Sequence, residues 1–258
     1  MNPGNRSVAT NNERSTPRRH GWALHWNRLE RSLGRRWREW RLPAGYLRLG
    51  TKYGGWWLDR TLIRPGPFVV DCGLGKDISF DVAFLSRFGG TIVGIEANPE
   101  SLAWCEARCP PGMRILDRAF WRAAGETLEF HLPRPQEHLP RGADGVSGSL
   151  LESHEYVAGG RSRKVMTTDL AEVLAGAGRT DCDVLKLDIE GAEYEVLADL
   201  ARRGLLAKCR QLLVEFHHGV TGHDLPETEK TVAAVRAAGF GLAHVEGRNY
   251  TFRWNGLA

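Results

Sequence analysis

The chain has 258 residues, a formal net charge of +4 and 42% hydrophobic residues, a size that suits one decorated domain or two small ones. No apolar run approaches the roughly 20 residues that a membrane span needs, and no apolar signal core stands near the N-terminus, so we expect a cytoplasmic protein. The five cysteines form no CxxC pair, which argues against a disulfide framework and against a zinc cage.

The excess of positive charge belongs to the first 48 residues, which contain eleven arginines and three glutamates, a net charge of +8 that leaves −4 for the remainder. Residues 1–20 are polar and rich in Asn, Ser, Arg and Pro. They offer little apolar surface to offset the entropy of ordering. We therefore predict that residues 1–20 form a disordered basic arm.

Residues 21–60 are predicted to form a helical extension rich in Trp and Arg. Large apolar side chains recur there at spacings of three and four, which places them on one helix face: Trp22, Trp26, Leu29, Leu33, Trp37 and Trp40. So much aromatic surface must be buried somewhere. Three surfaces fit, in this order: the rest of the domain or a second subunit of a homo-oligomer, an anionic membrane surface, and a nucleic acid bound by residues 1–42.

From residue 61 to residue 258, short apolar segments alternate with helical patterns, which predicts one α/β domain. The predicted strands are 68–71, 91–96, 113–116, 126–131, 164–167, 184–188 and 211–216, followed by a hairpin of 240–245 and 250–254. The predicted helices are 78–88, 99–108, 168–175 with Thr168 as N-cap, 192–202 and 227–238. This order indicates a Rossmann-like sheet of the class I methyltransferase type, mostly parallel with a C-terminal antiparallel hairpin.

The first predicted strand runs into a turn that reads DCGLGKD, and the turn limits the choice of ligand. It lacks the GxxxxGK[ST] pattern of a phosphate-binding loop. A dinucleotide-binding turn has a third glycine where this chain has Ile78. S-adenosylmethionine has no phosphate and carries a sulfonium and an ammonium group, which suits a turn that combines glycines with carboxylates.

Ligands of open α/β sheets bind at the carboxyl ends of the strands, and most strand ends here carry an acid. Asp71 is expected at the cationic end of the cofactor, or else as a helix cap, with Gly73 and Gly75 allowing the backbone to come close. Glu96 is placed for the ribose hydroxyls, followed by Asn98. The remaining expected cofactor-binding residues are Asp117, for the adenine amino group, and Asp77, as a helix cap or a ligand contact.

Several segments resemble the FkbM-type methyltransferases. DVLKLDIEGAEYEVLADL (183–200) is similar to the fourth-strand signature of that family, LLVEFHH (212–218) to its fifth strand, and TTDLAEVL (167–174) to the segment before the fourth. VVDCGLGKDISFD (69–81) resembles a divergent subgroup with a GxGxDxSFD first motif. The resemblance spans residues 66–218. It implies a class I fold, S-adenosylmethionine as cofactor, and usually O-methylation of a hydroxyl on a sugar or secondary metabolite.

A hydroxyl acceptor needs a base or a metal ion, because its unperturbed pKa is high. Asp188 ends the fourth strand and His217 follows the fifth, so either is a candidate base. Both are also candidates for a purely structural role, His217 in particular. A divalent-metal site made of Asp188, Glu190, Glu215 and His217 is the less favoured alternative.

The long loop 132–163 is predicted to shape the pocket of a small-molecule or glycan acceptor, since loops of this length often serve as binding loops. Two other functions remain open on the sequence. In one, the acceptor is RNA or protein, docked through the basic N-terminal arm. In the other, the chain is a binding protein of nucleotide-binding fold that has lost catalysis, for which the missing third glycine is the support.

Overall fold

The computed structural model describes residues 44–139 and 145–256. The predictions of a disordered arm over 1–20 and of a Trp-rich helical face over 22–40 lie outside the described residues. In the parts of the chain that the structure describes, no helix is both long and apolar enough to cross a membrane.

The described residues contain twelve strands and five α-helices. The strands are β1 (Tyr46–Leu49), β2 (Trp56–Asp59), β3 (Phe68–Cys72), β4 (Thr91–Glu96), β5 (Met113–Asp117), β6 (Ala119–Phe120), β7 (Thr127–Pro133), β8 (Val157–Thr168), β9 (Cys182–Leu187), β10 (Cys209–Glu215), β11 (Phe240–Glu246) and β12 (Asn249–Trp254). The helices are α1 (Ser79–Phe88), α2 (Pro99–Glu106), α3 (Leu170–Gly176), α4 (Glu193–Arg202) and α5 (Leu225–Ala237).

Seven strands form the central sheet in the order β11-β12-β10-β9-β3-β4-β5. The pairs among β10, β9, β3, β4 and β5 are all parallel, while β12 runs antiparallel to both β10 and β11. The predicted fold class is therefore confirmed, including the C-terminal antiparallel hairpin. Every residue of β3 and β9 is buried, as expected for central strands that are covered on both faces.

Three of the five helices, α2, α3 and α5, begin at an Asn or Asp whose side chain accepts a backbone N–H, and the cap of α3 differs from the predicted one. The N-cap of α3 is Asp169, whose Oδ1 accepts a hydrogen bond from the backbone N–H of Glu172 at 2.8 Å. Thr168, predicted as the cap, instead donates its hydroxyl to the Glu172 carboxylate at 2.6 Å and ends β8. The prediction was wrong because two adjacent residues both suit an N-cap, and pairing of β8 keeps Thr168 in the strand.

A small second sheet has the order β6-β8-β7 and packs beside the carboxyl end of the central sheet through a cluster around Ala97, Phe130 and Val165. The strand β8 begins at Val157, well before the predicted residue 164. The irregular part of the predicted loop is thus shorter than expected, since both of its ends are strand.

The prediction of a helix is wrong for residues 46–59, which form the antiparallel hairpin β1–β2. Trp56 and Leu58 of β2 are buried in a cluster that includes Phe80 and Phe84 of α1. The backbone of Asp59 and the side-chain amide of Gln211 exchange two hydrogen bonds, of 2.8 and 3.0 Å. The α/β domain therefore includes these strands, because their apolar residues complete one face of the sheet.

Candidate active site

A cavity of about 390 Å³ opens at the carboxyl ends of the central strands. Among the residues that line it, the predicted site residues are Gly73, Gly75, Asp77, Glu96, Asp188 and His217. Elements outside the central sheet contribute aromatic and aliphatic groups: Tyr53, Trp56, Phe130, Val146, Leu150 and Tyr156. A polar site with apolar walls at this edge of an α/β sheet is the usual place for a ligand.

The turn after β3 depends on glycine at two positions. Gly73 has φ +82° and Gly75 has φ +55°, in the left-handed region that side chains disfavour. A Cβ atom on Gly73 would also overlap the backbone carbonyl of Asp188, which follows β9. The glycine turn, residues 73–77, is therefore packed directly against the strand end that carries the candidate base.

Asp71 is not among the residues that line the cavity, and its expected contact with the cofactor stays a prediction. Its side chain is buried, and Oδ1 accepts a hydrogen bond from Nζ of Lys186 at 2.8 Å. Lys186 does line the cavity, donates to the carbonyl of Gly73 at 3.2 Å, and places its ammonium 5.3 Å from the centre of the Trp56 ring. Asp71 thus acts on the site through Lys186, because that lysine needs a buried counter-charge.

A second carboxyl, on Asp81 in the first turn of α1, lies near Asp71 and Lys186. Burial, reinforced by the charge of Asp71, raises the pKa of Asp81 well above its ordinary value. The sequence analysis assigned no role to Asp81 or Lys186. The signal for Lys186 was present in the sequence, since it is the single charged residue in an otherwise apolar segment, VLKL.

Glu96 lines the cavity and also holds the glycine turn. Its Oε2 accepts the backbone N–H groups of Leu74 and Gly75 at 3.0 and 2.8 Å, and its Oε1 accepts the N–H of Asn98 at 2.7 Å. Burial raises the pKa of Glu96 to about 7, although these backbone donors act in the opposite direction. The predicted contact with ribose hydroxyls stays a prediction.

Asn98 and Asp117 lie behind the cavity wall and do not line it. Asn98 caps α2 through the N–H of Glu100, and its amide nitrogen donates to the carbonyl of Val146 at 3.1 Å. Asp117 is exposed and forms an ion pair with Arg163 at 3.0 Å. Their contacts with a cofactor stay predictions.

Asp77 contacts the start of a helix, as one of its two expected roles required, and the expected ligand contact stays a prediction. Its Oδ1 accepts the N–H of Ser79 at 2.8 Å at the start of α1, and its Oδ2 accepts the hydroxyl of Thr51 at 2.6 Å. Burial opposes ionisation, but the hydrogen bonds from Ser79 and Thr51 prevail and lower the pKa of Asp77. Asp77 is therefore a carboxylate that joins the glycine turn to the β1–β2 hairpin.

The two predicted catalytic residues are brought together: Nε2 of His217 lies 3.6 Å from Oδ1 of Asp188. The imidazole is buried between two other carboxylates, with Nδ1 3.2 Å from Glu193 and Nε2 3.2 Å from Glu190. Burial alone would lower the pKa of His217, but the carboxylates raise it well above its ordinary value. Both ring nitrogens thus face carboxylates, an arrangement that favours the protonated ring over a ring with a lone pair free to accept a proton.

Asp188 has the opposite character. Burial, strengthened by the negative charge of Glu215, raises its pKa to about 8, while the cations of Lys186 and His217 partly offset the rise. A carboxylate with a pKa this close to neutrality is a stronger base than an ordinary aspartate. Of the two predicted bases, the geometry favours Asp188, with His217 as its cationic neighbour.

Glu190 connects this pair to the loop that precedes β8. Its Oε2 lies 2.8 Å from Nε2 of the buried His154, and its carbonyl accepts the hydroxyl of Ser149 at 2.7 Å. Within the described ranges, Glu190 is also the one residue other than glycine with a positive φ, +53°. Strained backbone of this kind clusters at functional sites. From the sequence, Glu190 was a candidate for a metal site only, and no pattern predicted its contact with this loop.

Asp188, Glu215 and His217 also have the composition of a divalent-metal site, since each offers a ligand atom within 4.8 Å of the others. Two neighbours compete with a metal ion for these atoms: Glu190 contacts His217, and Arg248 forms a 3.0 Å ion pair with Glu215. Two ways to activate an acceptor at this site are therefore open: Asp188 as a base, or a divalent metal ion bound by Asp188, Glu215 and His217.

Comparison with known proteins assigns this chain to a family. The family model described as the methyltransferase FkbM domain matches residues 71–242, which is two thirds of the chain. Among curated proteins, none matches the sequence.

Solved structures with a similar arrangement include a TehB-like SAM-dependent methyltransferase from Corynebacterium glutamicum, at 12% identity over 75% of this chain and 83% of that one, with a TM-score of 0.36. Aeropyrum pernix fibrillarin, in complex with natively bound S-adenosyl-L-methionine, is 11% identical over 74% of this chain and 66% of that one, with a TM-score of 0.37. The sugar N-methyltransferase KedS8 from Streptoalloteichus is 11% identical over 97% and 99% of the two chains, with a TM-score of 0.35. These scores are low, so the assignment depends on the family match. The chain belongs to the FkbM methyltransferase family and is an S-adenosylmethionine-dependent methyltransferase.

Proposed function

We propose that this methyltransferase transfers its methyl group to a hydroxyl of a sugar or secondary metabolite, with Asp188 as the base that accepts the hydroxyl proton. The observation that carries the proposal is the contact between the glycine turn and the end of β9, where Gly73 packs on the carbonyl of Asp188. This contact puts the base beside the turn at which the cofactor is expected. Donor and acceptor would then meet in one cavity, which is the condition for in-line transfer.

The cofactor would be held by residues that already line the cavity. Gly73 and Gly75 leave room for its close approach, and Glu96 faces the same space as a hydrogen-bond acceptor. Carboxylates around the cavity suit a ligand with a sulfonium and an ammonium group. When bound, the cofactor supplies a methyl group that is activated by positive sulfur, so the protein needs only to orient the acceptor and remove its proton.

Removal of that proton is assigned to Oδ2 or Oδ1 of Asp188. The imidazolium of His217, 3.6 Å away, stabilises the ionised form of Asp188, which is the form that accepts a proton. Glu193 and Glu190 hold the ring in this orientation through its two nitrogens. The aromatic rings of Tyr53 and Tyr156 at the same cavity suit the apolar faces of a sugar ring.

The test compares the wild type with Asp188→Asn. Calorimetry with S-adenosylhomocysteine measures the cofactor site, and transfer of a labelled methyl group to a panel of methyl glycosides and phenolic metabolites measures catalysis. We expect Asp188→Asn to lose about 10²–10⁴-fold in transfer rate while it binds S-adenosylhomocysteine as the wild type does. An unchanged rate would exclude Asp188 as the base, and no cofactor binding at millimolar concentration would exclude methyl transfer.

A divalent cation is the second way to activate the hydroxyl, favoured by the closeness of Asp188, Glu215 and His217. Dialysis against a chelator separates the two mechanisms. Loss of transfer that is restored by Mg²⁺ would support the metal. Full activity after chelation supports Asp188 as a base without metal.

A further inference from the structure

The hairpin β1–β2 precedes the segment that matches the family model, yet its turn touches the cofactor end of the cavity. Tyr53 and Gly54 of the turn and Trp56 of β2 line the cavity together with Asp77 of the glycine turn. Tyr53 is 72% exposed, as expected for a residue at the mouth of an open cavity. The wall on this side of the site is therefore built by residues outside the matched domain.

Two hydrogen bonds join the β1–β2 turn to the glycine turn and the start of α1, and one more orders each side of this contact. The hydroxyl of Thr51 donates to Asp77 at 2.6 Å and accepts the N–H of Gly54 at 3.0 Å. The N–H of Thr51 donates to the hydroxyl of Ser79 at 2.8 Å, and Asp77 also accepts the N–H of Ser79, the first residue of α1, at 2.8 Å. Thr51 is thus bonded at both its hydroxyl and its backbone.

Close packing accompanies these bonds. A Cβ atom on Gly54 would lie 2.5 Å from the carboxyl carbon of Asp77, and one on Gly50 would lie 3.0 Å from the backbone nitrogen of Phe80. Glycine at both positions lets the β1–β2 turn approach Asp77 of the glycine turn and the first residues of α1. The strand β2 is held separately, since the hydroxyl of Thr251 in β12 donates to the carbonyl of Trp57 at 2.9 Å.

We propose that the β1–β2 turn is part of the cofactor site and that the hydroxyl of Thr51 is a positioning group, which holds Asp77 and with it the glycine turn in the conformation that binds the cofactor. The inference rests on the proposed placement of the cofactor at the glycine turn. It gives a role to Asp77, which stands next to the position of the missing third glycine, because its carboxylate accepts a hydrogen bond from a second element. Thr51 itself is not a catalytic residue.

Three matched variants test this. Thr51→Val keeps the shape of the side chain but removes the hydroxyl, and Thr51→Ser restores the hydroxyl. Thr251→Val makes the same chemical change at a bond that holds the hairpin through β2, at Trp57, and that does not involve Asp77. For each variant, calorimetry gives the Kd for S-adenosylhomocysteine and thermal unfolding gives Tm.

We expect Thr51→Val to weaken S-adenosylhomocysteine binding about fivefold, the effect of one hydrogen bond of ordinary strength. Thr51→Ser should bind as the wild type does. Thr251→Val should lower Tm at least as much as Thr51→Val while its Kd stays unchanged, which separates positioning from general destabilisation.

Equal Kd values for wild type and Thr51→Val would overturn the inference. So would a Thr251→Val variant that weakens S-adenosylhomocysteine binding as much as Thr51→Val does, because the loss would then follow from general destabilisation. A wild type that binds no S-adenosylhomocysteine would instead overturn the proposed function. The two failures are therefore distinguishable in one set of titrations.

Discussion

The ammonium of Lys186 lies 2.8 Å from a carboxylate oxygen of Asp71, and 7% and 1% of the two side chains are exposed. The two residues are 115 positions apart in the sequence and face each other on the paired strands β9 and β3. This pair joins the two central strands directly below the cavity. It makes the floor of the site dependent on a charge balance rather than on apolar packing alone.

Removal of one partner should therefore be severe. We expect Lys186→Met to lower the free energy of unfolding by about 3–5 kcal/mol, because it leaves the buried carboxylate of Asp71 without a counter-charge. The double variant Lys186→Met/Asp71→Leu should recover much of that loss, since it removes both charges. Urea unfolding monitored by tryptophan fluorescence measures both. A double variant no more stable than Lys186→Met would show that the pair does more than balance charge.

The alternation of apolar and helical segments was enough to predict the central sheet, because each parallel strand is buried and each helix is separated from it by a short turn. The same pattern placed Gly73, Glu96, Asp188 and His217 at one edge of that sheet. The identity of their partners was not predictable. Asp71 is hydrogen-bonded to a residue 115 positions away, and a local sequence pattern does not predict a contact between residues so far apart in the chain.

The hairpin β1–β2 was missed although the sequence contained a signal for it. YLRL and WWLD are short apolar segments separated by residues 50–55, which include three glycines. That is the pattern of a hairpin with a longer loop, and glycine pairs disfavour a continuous helix. The positive φ of Glu190 had no such signal, because it follows from the contacts of its side chain and carbonyl after folding.

Gly73 offers a test of the contact between the glycine turn and β9. Gly73→Ala places a methyl group into the carbonyl of Asp188, so we expect a loss of more than about 3 kcal/mol in the free energy of unfolding, or no folded protein. Gly66→Ala is the control, because Gly66 has a similar φ of +63° but nothing within 4 Å of its Cβ position. It should lose only about 1–2 kcal/mol, from backbone strain alone. Equal losses in urea unfolding would contradict the close contact.

Glu190 is expected to govern catalysis more than stability. Glu190→Gln keeps the shape of the side chain but removes the charge that holds His154 and His217, so we expect transfer to fall about 10–100-fold. The Kd for S-adenosylhomocysteine should change little. Glu195→Gln on the exposed side of α4, where the glutamate pairs with Arg122, is the matched control and should be fully active. Equal activities of the two variants would argue against the role assigned to Glu190.

The pH dependence of transfer tests Asp188 as the base. Its pKa is raised to about 8, and only the ionised form accepts a proton, so kcat/KM should be low near pH 6, rise through pH 8 and level off above it. Asp188→Asn should have a residual rate without that rise. A metal ion bound to Asp188 would keep it ionised across this range, so a wild-type profile that is flat from pH 6 to 9 would favour the metal mechanism. Steady-state kinetics with an acceptor from the panel, measured with and without chelator, decides between the two.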